Sequence, residues 1–263
     1  MGEFCETARD GHVLTVTINR PEVLNALHPP ANAELGGVWD DFAADPELWI
    51  GIITGAGDRA FSAGNDLKYQ AAGGDMRGQP ASGFAGLTSR FDLDKPVIAA
   101  VNGVAMGGGF EIALACDIIV ASEEKALFAL PEPRVGLAAL AGGLQRLPRM
   151  IPLKQAMGMI LTGRRVGAVE GKELGFVTDV VPHGELLDRA RGWAEQILEC
   201  SPASVRASKQ TVMRSLNTPN LEEAMNNGQY PAIGDLFRSE DFVEGPLAFA
   251  QKRPPKWTGK PRA

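Results

Sequence analysis

Two glutamates, Glu111 and Glu132, stand in otherwise apolar sequence. Glu111 follows the triple glycine Gly107-Gly108-Gly109 in a segment that reads as the first turn of a helix. Glu132 follows Leu130-Pro131 at the end of a short apolar segment. An isolated glutamate, with a pKa of about 4.3, is ionised at neutral pH and is a poor acid. Two placed close together cannot both ionise cheaply, so the pair shares a proton and titrates as a unit. Such a pair can hold a water, take a proton from it and deliver one to carbon. That is the hydration of a double bond conjugated to a carbonyl.

The glycines could supply the other half of this chemistry. A strand, a glycine turn and a helix start expose bare backbone N–H groups to a negative ligand. The chain offers two such places, Gly107-Gly108-Gly109 and Ala63-Gly64-Asn65-Asp66. Two converging N–H groups form an oxyanion hole, each donor worth ~10²–10³ in rate. No G-x-S-x-G elbow is present and no Cys–His or Ser–His pair stands out, so acyl-enzyme chemistry lacks its usual markers. What remains is proton transfer beside a stabilised enolate. Each feature also has a plainer reading: a packing turn, a first-turn glutamate favoured by the helix dipole, a Pro-Glu turn. Their order, and the match between the two glycine sites, raises them above that.

The elements that must position these residues follow from periodicity. His12–Asn19 alternates and is β-branched, predicting a strand; Trp49–Thr54 and Pro96–Val101 are continuous apolar runs suited to strands buried on both sides. Asp117–Ala121 is a further apolar run. Pro29-Pro30 opens a helix with Leu35, Val38, Trp39 and Phe42 on one face, stopped by Asp45-Pro46. Gly55–Ala60 matches G-x-G-x-x-A after a strand, but no amphipathic helix follows and no second strand ends in an acidic residue, so a dinucleotide site is rejected. Tyr69–Ser89, rich in Gly, Ala and Ser, predicts a loop or short helix of the kind that walls a pocket. Gly142-Gly143 leads into Leu144–Leu147. Ile151–Leu161 and Val169–Gly175 read as helices and Phe176–Val181 as a strand. From Pro182 onward the pattern is helical: one face at Leu186–Leu198, a cap at Ser201-Pro202, a helix over Leu221–Phe237 interrupted by Gly228 and Pro231, and another at Phe242–Gln251.

Composition sets the outer bounds. The 263 residues are 44% apolar and 22% charged, an ordinary globular balance. Thirty-one glycines exceed the usual ~7% share and point to many tight turns. A net charge of −6 argues against nucleic-acid binding, which relies on basic surface. Cys5, Cys116 and Cys200 show no CxxC spacing, and His12, His28 and His183 no ligand spacing; the expectation is no metal and a reducing compartment. With no apolar run of ~18 residues and no signal pattern at the amino terminus, the chain reads as cytoplasmic, with no membrane partner.

Several segments in order resemble the enoyl-CoA hydratase/isomerase, or crotonase, family: NRPEVLNAL (19–27), AFSAGNDLK (60–68), KPVIAAVNGVAMGGGFEIALACDIIVAS (95–122), the PE of Glu132, GGLQRL (142–147), LTGRRV (161–166) and LGFVTDVV (174–181). The resemblance implies an α/β fold: a crotonase-like spiral of ββα units over residues 1–195, then a helical trimerisation region over 196–263. It implies a homotrimer or a hexamer of paired trimers, an acyl-CoA thioester as substrate and no cofactor beyond the coenzyme A of that substrate. By motif position, the N–H groups of Asn65 and Gly108 would hold the thioester oxygen. Glu111 would activate the water that adds to C3, and Glu132 would exchange the proton at C2. Leu24, Ala26, Ala63, Asp66, Leu67 and Lys68 match positions lining the CoA channel, and Lys252 falls where a carboxy-terminal lysine can meet CoA phosphates.

Because the fold hosts several activities, retention of both glutamates favours an enoyl-CoA hydratase, or a dehydratase running the same step backwards. Two departures bear on this. Asn65 stands where many hydratases have alanine, which leaves a backbone donor intact. Ala139 replaces a common proline, and Leu140 replaces a small or acidic residue, adding apolar bulk where some isomerases keep an acid. SAGNDLK and MGGGFEIAL also resemble carnitinyl-CoA dehydratases, so the alternatives are a dehydratase of that type, an isomerase of the same fold, or a non-catalytic CoA-binding homologue.

Overall fold

The computed structural model describes every residue except Met1, Met76 and Ala263. The chain forms two compact units. One holds the residues up to Arg90 together with Val97–Gly192, and the other holds Phe91–Pro96 together with the residues from Trp193 onward.

Among its described residues the first unit carries ten strands: β1 (Cys5–Asp10), β2 (Val13–Ile18), β3 (Ile50–Gly55), β4 (Ala60–Ser62), β5 (Val97–Val101), β6 (Val104–Met106), β7 (Ile118–Ser122), β8 (Leu127–Ala129), β9 (Val166–Gly167) and β10 (Asp179–Val181). They make two sheets, ordered β1-β2-β3-β5-β7-β10 and β4-β6-β8-β9. In the larger sheet β1 and β2 pair antiparallel, from Cys5 opposite Ile18 to Asp10 opposite Val13, and the other pairs are parallel. Every residue of β3 and β5 is buried, as their unbroken apolar sequences require in the middle of a parallel sheet.

The first unit's helices are α1 (Pro29–Ala44), α2 (Leu67–Ala71), α3 (Gly108–Ala115), α4 (Gly143–Met150), α5 (Leu153–Thr162) and α6 (Ala168–Leu174). Three times a long strand is followed by a short one in the smaller sheet and then a helix: β3-β4-α2, β5-β6-α3 and β7-β8-α4. This is the ββα spiral. Its short strands β4, β6 and β8 lie side by side in parallel. The turns that leave β4 and β6 are therefore neighbours, although they are far apart in sequence. Phe110 anchors α3, its ring centroid 5.2 Å from that of Phe128 and 5.0 Å from that of Phe176. Burial of one such ring contributes roughly 1.5–3 kcal/mol, which fixes the helix carrying Glu111.

The expected strand over Phe176–Val181 is shorter, β10 alone. Gly175 ends α6 with φ 105, and Phe176 and Val177 turn into the core to bond the Gly171 carbonyl. The segment Tyr69–Ser89 opens with the end of α2 and later forms a buried turn, Phe84–Gly86.

The helix α7 (Leu186–Leu198) leads into the second unit, which continues with α8 (Pro202–Ser215), α9 (Leu221–Ala224), α10 (Pro231–Arg238) and α11 (Asp241–Ala250). Ser201 caps α8 by accepting from the Ser204 N–H. Buried Gln210 donates to Asp94 at 2.6 Å and accepts from the Ala232 N–H at 2.9 Å. Asp241 accepts from the Ser201 hydroxyl and from the N–H groups of Thr258 and Gly259. The expected helix over Leu221–Phe237 is divided into α9, a turn at Asn227–Gln229 and α10, with Pro231 as the first residue of α10. Among the described residues no helix is long and apolar enough to cross a membrane.

Candidate active site

The two glycine turns meet. Gly64 has φ 84, and a β-carbon there would lie 2.8 Å from the Gly108 nitrogen and 2.5 Å from the Met106 carbonyl oxygen, so only glycine allows the approach. Both outward N–H groups are aimed by bonds on the far side of their own peptide planes. The Gly64 carbonyl accepts from the Leu27 N–H at 2.8 Å. Because C=O and N–H point opposite ways in a trans peptide, the Asn65 N–H is directed away from Leu27. The Gly107 carbonyl accepts from the Glu111 N–H at 3.0 Å, so the Gly108 N–H projects from the start of α3. Neither the Asn65 nor the Gly108 N–H meets an internal acceptor among the described residues.

The glutamates flank the second turn. A β-carbon on Gly107 would lie 2.9 Å from Glu132 Oε1, and one on Gly143 would lie 3.1 Å from Glu111 Oε1. Glu111 is 3% exposed, and its Oε1 accepts from the Gly143 N–H at 2.8 Å. Burial pushes its carboxyl up to about 7, and the Glu132 charge adds to the rise. The N–H groups of Gly143 and Ala141 and the Arg146 cation oppose it. Burial likewise raises Glu132, whose Oε2 is shut off from solvent with no hydrogen-bond partner among the described residues. The backbone N–H of Glu132 itself opposes that rise, and while Oε1 lies against the Gly107 turn, the unpartnered Oε2 is an oxygen left for something outside the fold.

Glu111 yields a sign test. Its folded pKa lies above the ordinary carboxylate value, so the proton is held more tightly in the folded state. The stability this gives is complete below the unfolded pKa, near 4.5, and is lost as pH rises through about 7. Above that, folding carries the cost of a buried charge. Glu111→Gln is therefore expected to raise stability at pH 8 by on the order of 1–3 kcal/mol relative to wild type, with little gain at pH 5. Paired thermal melts at the two pH values check this; an equal effect at both would remove the linkage.

The other expected residues divide between positioning and exposure. Leu24 caps a short turn with φ 57 and accepts from the Ala63 N–H at 2.9 Å. Ala26 is buried, and its carbonyl accepts from Arg20, which also pairs with Asp66 at 3.1 Å. Asp66 caps α2 through the Tyr69 N–H. These bonds tie the 63–66 turn to the 20–27 segment. Leu67 and Lys68 are exposed on α2. Lys252 is an exposed residue of the second unit with φ 52.

Four supporting residues escaped the sequence reading. Asn25, fully buried with φ 55, bonds the carbonyls of Ala56 and Ala60. Ser62 donates to the Asn25 carbonyl at 2.8 Å and accepts from the Gly64 N–H at 3.1 Å. Phe84 lies where a β-carbon on Gly108 would fall, 2.5 Å from its Cε1. Arg146 donates to the Thr88 carbonyl at 2.8 Å. Asn25, Ser62 and Arg146 all lie inside the family-like segments, and that was the available signal; Phe84 gave none. The structure also pairs His183 Nδ1 with Ser122 Oγ at 3.3 Å, where no Ser–His pair was expected. Ser122 is fully buried, and Glu124 accepts from its hydroxyl and from the His183 backbone N–H. It is a structural knot, not a nucleophile.

Two amides in neighbouring turns, beside two carboxyls that burial holds above the ordinary range, on a ββα spiral, define a protein of the crotonase class. A sequence profile described as enoyl-CoA hydratase/isomerase matches residues 8–260, and the chain belongs to that family of enzymes. It is 45% identical to a carnitinyl-CoA dehydratase of Escherichia coli (strain K12), over 99% of this chain and all of the relative. Among solved structures, an enoyl-CoA hydratase from Mycobacterium marinum superposes with a TM-score of 0.90 at 38% identity, covering 98% of this chain and all of that one. A carnitinyl-CoA hydratase from Mycobacterium avium does so with a TM-score of 0.77 at 38% identity, covering 99% and all.

Proposed function

We propose that this protein is a lyase that reversibly adds water across the double bond of a trans-2-enoyl-CoA thioester. The observation that carries the reading is the meeting of the Gly64 and Gly108 turns with Glu111 and Glu132 alongside. In the hydration direction Glu111 takes a proton from a water as its oxygen bonds C3. The π electrons move onto the thioester oxygen, where the N–H groups of Asn65 and Gly108 meet the developing charge. Glu132 then gives its proton to C2 as the carbonyl re-forms. The pair holds one proton before and after, and dehydration is the same path reversed. No cofactor enters; coenzyme A belongs to the substrate. Leu24, Ala26, Ala63, Asp66, Leu67, Lys68 and Lys252 are assigned to coenzyme A contacts in the same reading.

A second reading concerns the acyl group. The 45% identity to a carnitinyl-CoA dehydratase over the whole chain favours a substrate bearing a trimethylammonium group. Initial rates with crotonyl-CoA and crotonobetainyl-CoA, followed by loss of the enoyl thioester's ultraviolet absorbance, separate the two. A kcat/KM at least tenfold higher for crotonobetainyl-CoA, about 1.4 kcal/mol in the transition state, selects the second. No absorbance change with either substrate overturns hydration of both. In the second unit Leu221 and Phe249 stand exposed, which suits assembly as a trimer or paired trimers; mass photometry reads this directly.

A further inference from the structure

Arg146 is the charged residue of α4 that turns inward; Arg149, the other, is exposed and bonds the Gln145 carbonyl behind it. The Arg146 guanidinium links two segments. One nitrogen donates to the Thr88 carbonyl at 2.8 Å and the other reaches the Ala141 carbonyl at 3.5 Å. The Thr88 segment carries Phe84, whose ring edge lies against Gly108. The Ala141 segment leads into Gly143, whose N–H donates to Glu111. Gly142 has φ 106, a backbone that favours glycine, and a β-carbon there would fall on the same guanidinium.

We propose that Arg146 is a positioning residue for the glutamate pair: its cation faces Glu111 while its two forks clamp the Phe84 segment and the start of α4. The proposal rests on the two-glutamate reading above and extends it to a residue that need not touch substrate. The charged groups facing Glu111 are Glu132, from the turn after β8, and Arg146 itself. The other elements packed against α3, namely β4, β6 and the Phe84–Gly86 turn, carry no titratable side chain. Beyond the end of α3, the buried Cys116 faces Arg146. With the cation removed, only the N–H groups of Gly143 and Ala141 still favour the charged form, and Glu111 ionises at higher pH.

The experiment compares Arg146→Met and Arg146→Lys with wild type in the full-length protein. In Arg146→Met the acid limb of the kcat/KM profile is expected to move up by roughly half to one pH unit. Turnover below the limb then falls up to about tenfold, with KM little changed. Arg146→Lys, which keeps the charge without the fork, should restore the limb but not the full plateau. A second readout stands apart from turnover: infrared titration of the carboxyl band that vanishes in Glu111→Gln, recorded in wild type and in Arg146→Met. If Glu111→Gln proves fully active, the reaction assignment fails, while the infrared titration still decides the role of Arg146. An unmoved carboxyl titration in a folded Arg146→Met, or a limb that moves equally in Arg146→Lys, overturns the proposal.

Discussion

Glu132→Gln is expected to lower turnover of an enoyl-CoA by ~10²–10⁴-fold, the usual worth of a positioned proton donor, while acyl-CoA affinity changes little. The structure makes this substitution an unusually clean one. Glu132 Oε2 has no partner among the described residues, so the amide that replaces it breaks no internal bond there. Burial holds the Glu132 carboxyl above the usual carboxylate range. Its ionised form is therefore a cost to folding at pH values above its raised pKa, and the neutral glutamine removes that cost. The variant should be at least as stable as wild type at pH 8. A structural residue would behave oppositely, losing melting temperature along with rate. Steady-state turnover, calorimetric titration with a 3-hydroxyacyl-CoA, and thermal melts together make the measurement. Unchanged turnover, or a destabilised protein with the rate restored on refolding, would remove Glu132 from the chemistry. Glu111→Gln is a less simple test, because Glu111 also accepts the Gly143 N–H.

How much of this was legible in the chain depends on the range of the forces involved. β2, β3, β5 and α1 were legible because burial imposes a period, or an unbroken apolar run, over five or more residues. The smaller sheet was not: β4, β6 and β8 have three residues each, too few to establish alternation. β1 was also missed. Its sequence, CETARD, is buried only at Cys5, and an edge strand exposed along its length carries little hydrophobic signal. Yet the short strands decide the site, since their parallel pairing brings the Gly64 and Gly108 turns together. The site residues were read by family resemblance and glycine spacing. Their supports were not, because a carbonyl that waits for Arg146 or Ser62 leaves no mark on its own residue type. Asn25 and Leu24 in left-handed backbone show the same limit, as that conformation is usually read from glycine.

The second large effect concerns the Gly108 N–H. Any side chain at this position meets the Phe84 ring, since a β-carbon would lie 2.5 Å from Cε1 and 2.8 Å from Cζ. Gly108→Pro in the wild-type background therefore confounds two losses, a steric one and a missing donor. Cδ1 would also lie within 2.9 Å, and leucine would keep a carbon there, so Phe84→Ala, which removes Cδ1, Cε1 and Cζ together, is the change that opens the space. In that background Gly108→Ala keeps the N–H and Gly108→Pro deletes it, while both add a β-carbon. Proline is tolerated at the first position of a helix, which Gly108 occupies in α3, and its predecessor Gly107 has no β-carbon to oppose the ring. The difference between the two double variants thus isolates one hydrogen-bond donor. Phe84→Ala/Gly108→Pro is expected to turn over ~10²–10³-fold more slowly than Phe84→Ala/Gly108→Ala, the range for a single oxyanion donor. Binding of the ground-state thioester should differ far less, because charge reaches the oxygen only as the enolate forms. Equal kcat in the two folded proteins would show that the thioester oxygen takes its stabilisation from somewhere other than the start of α3.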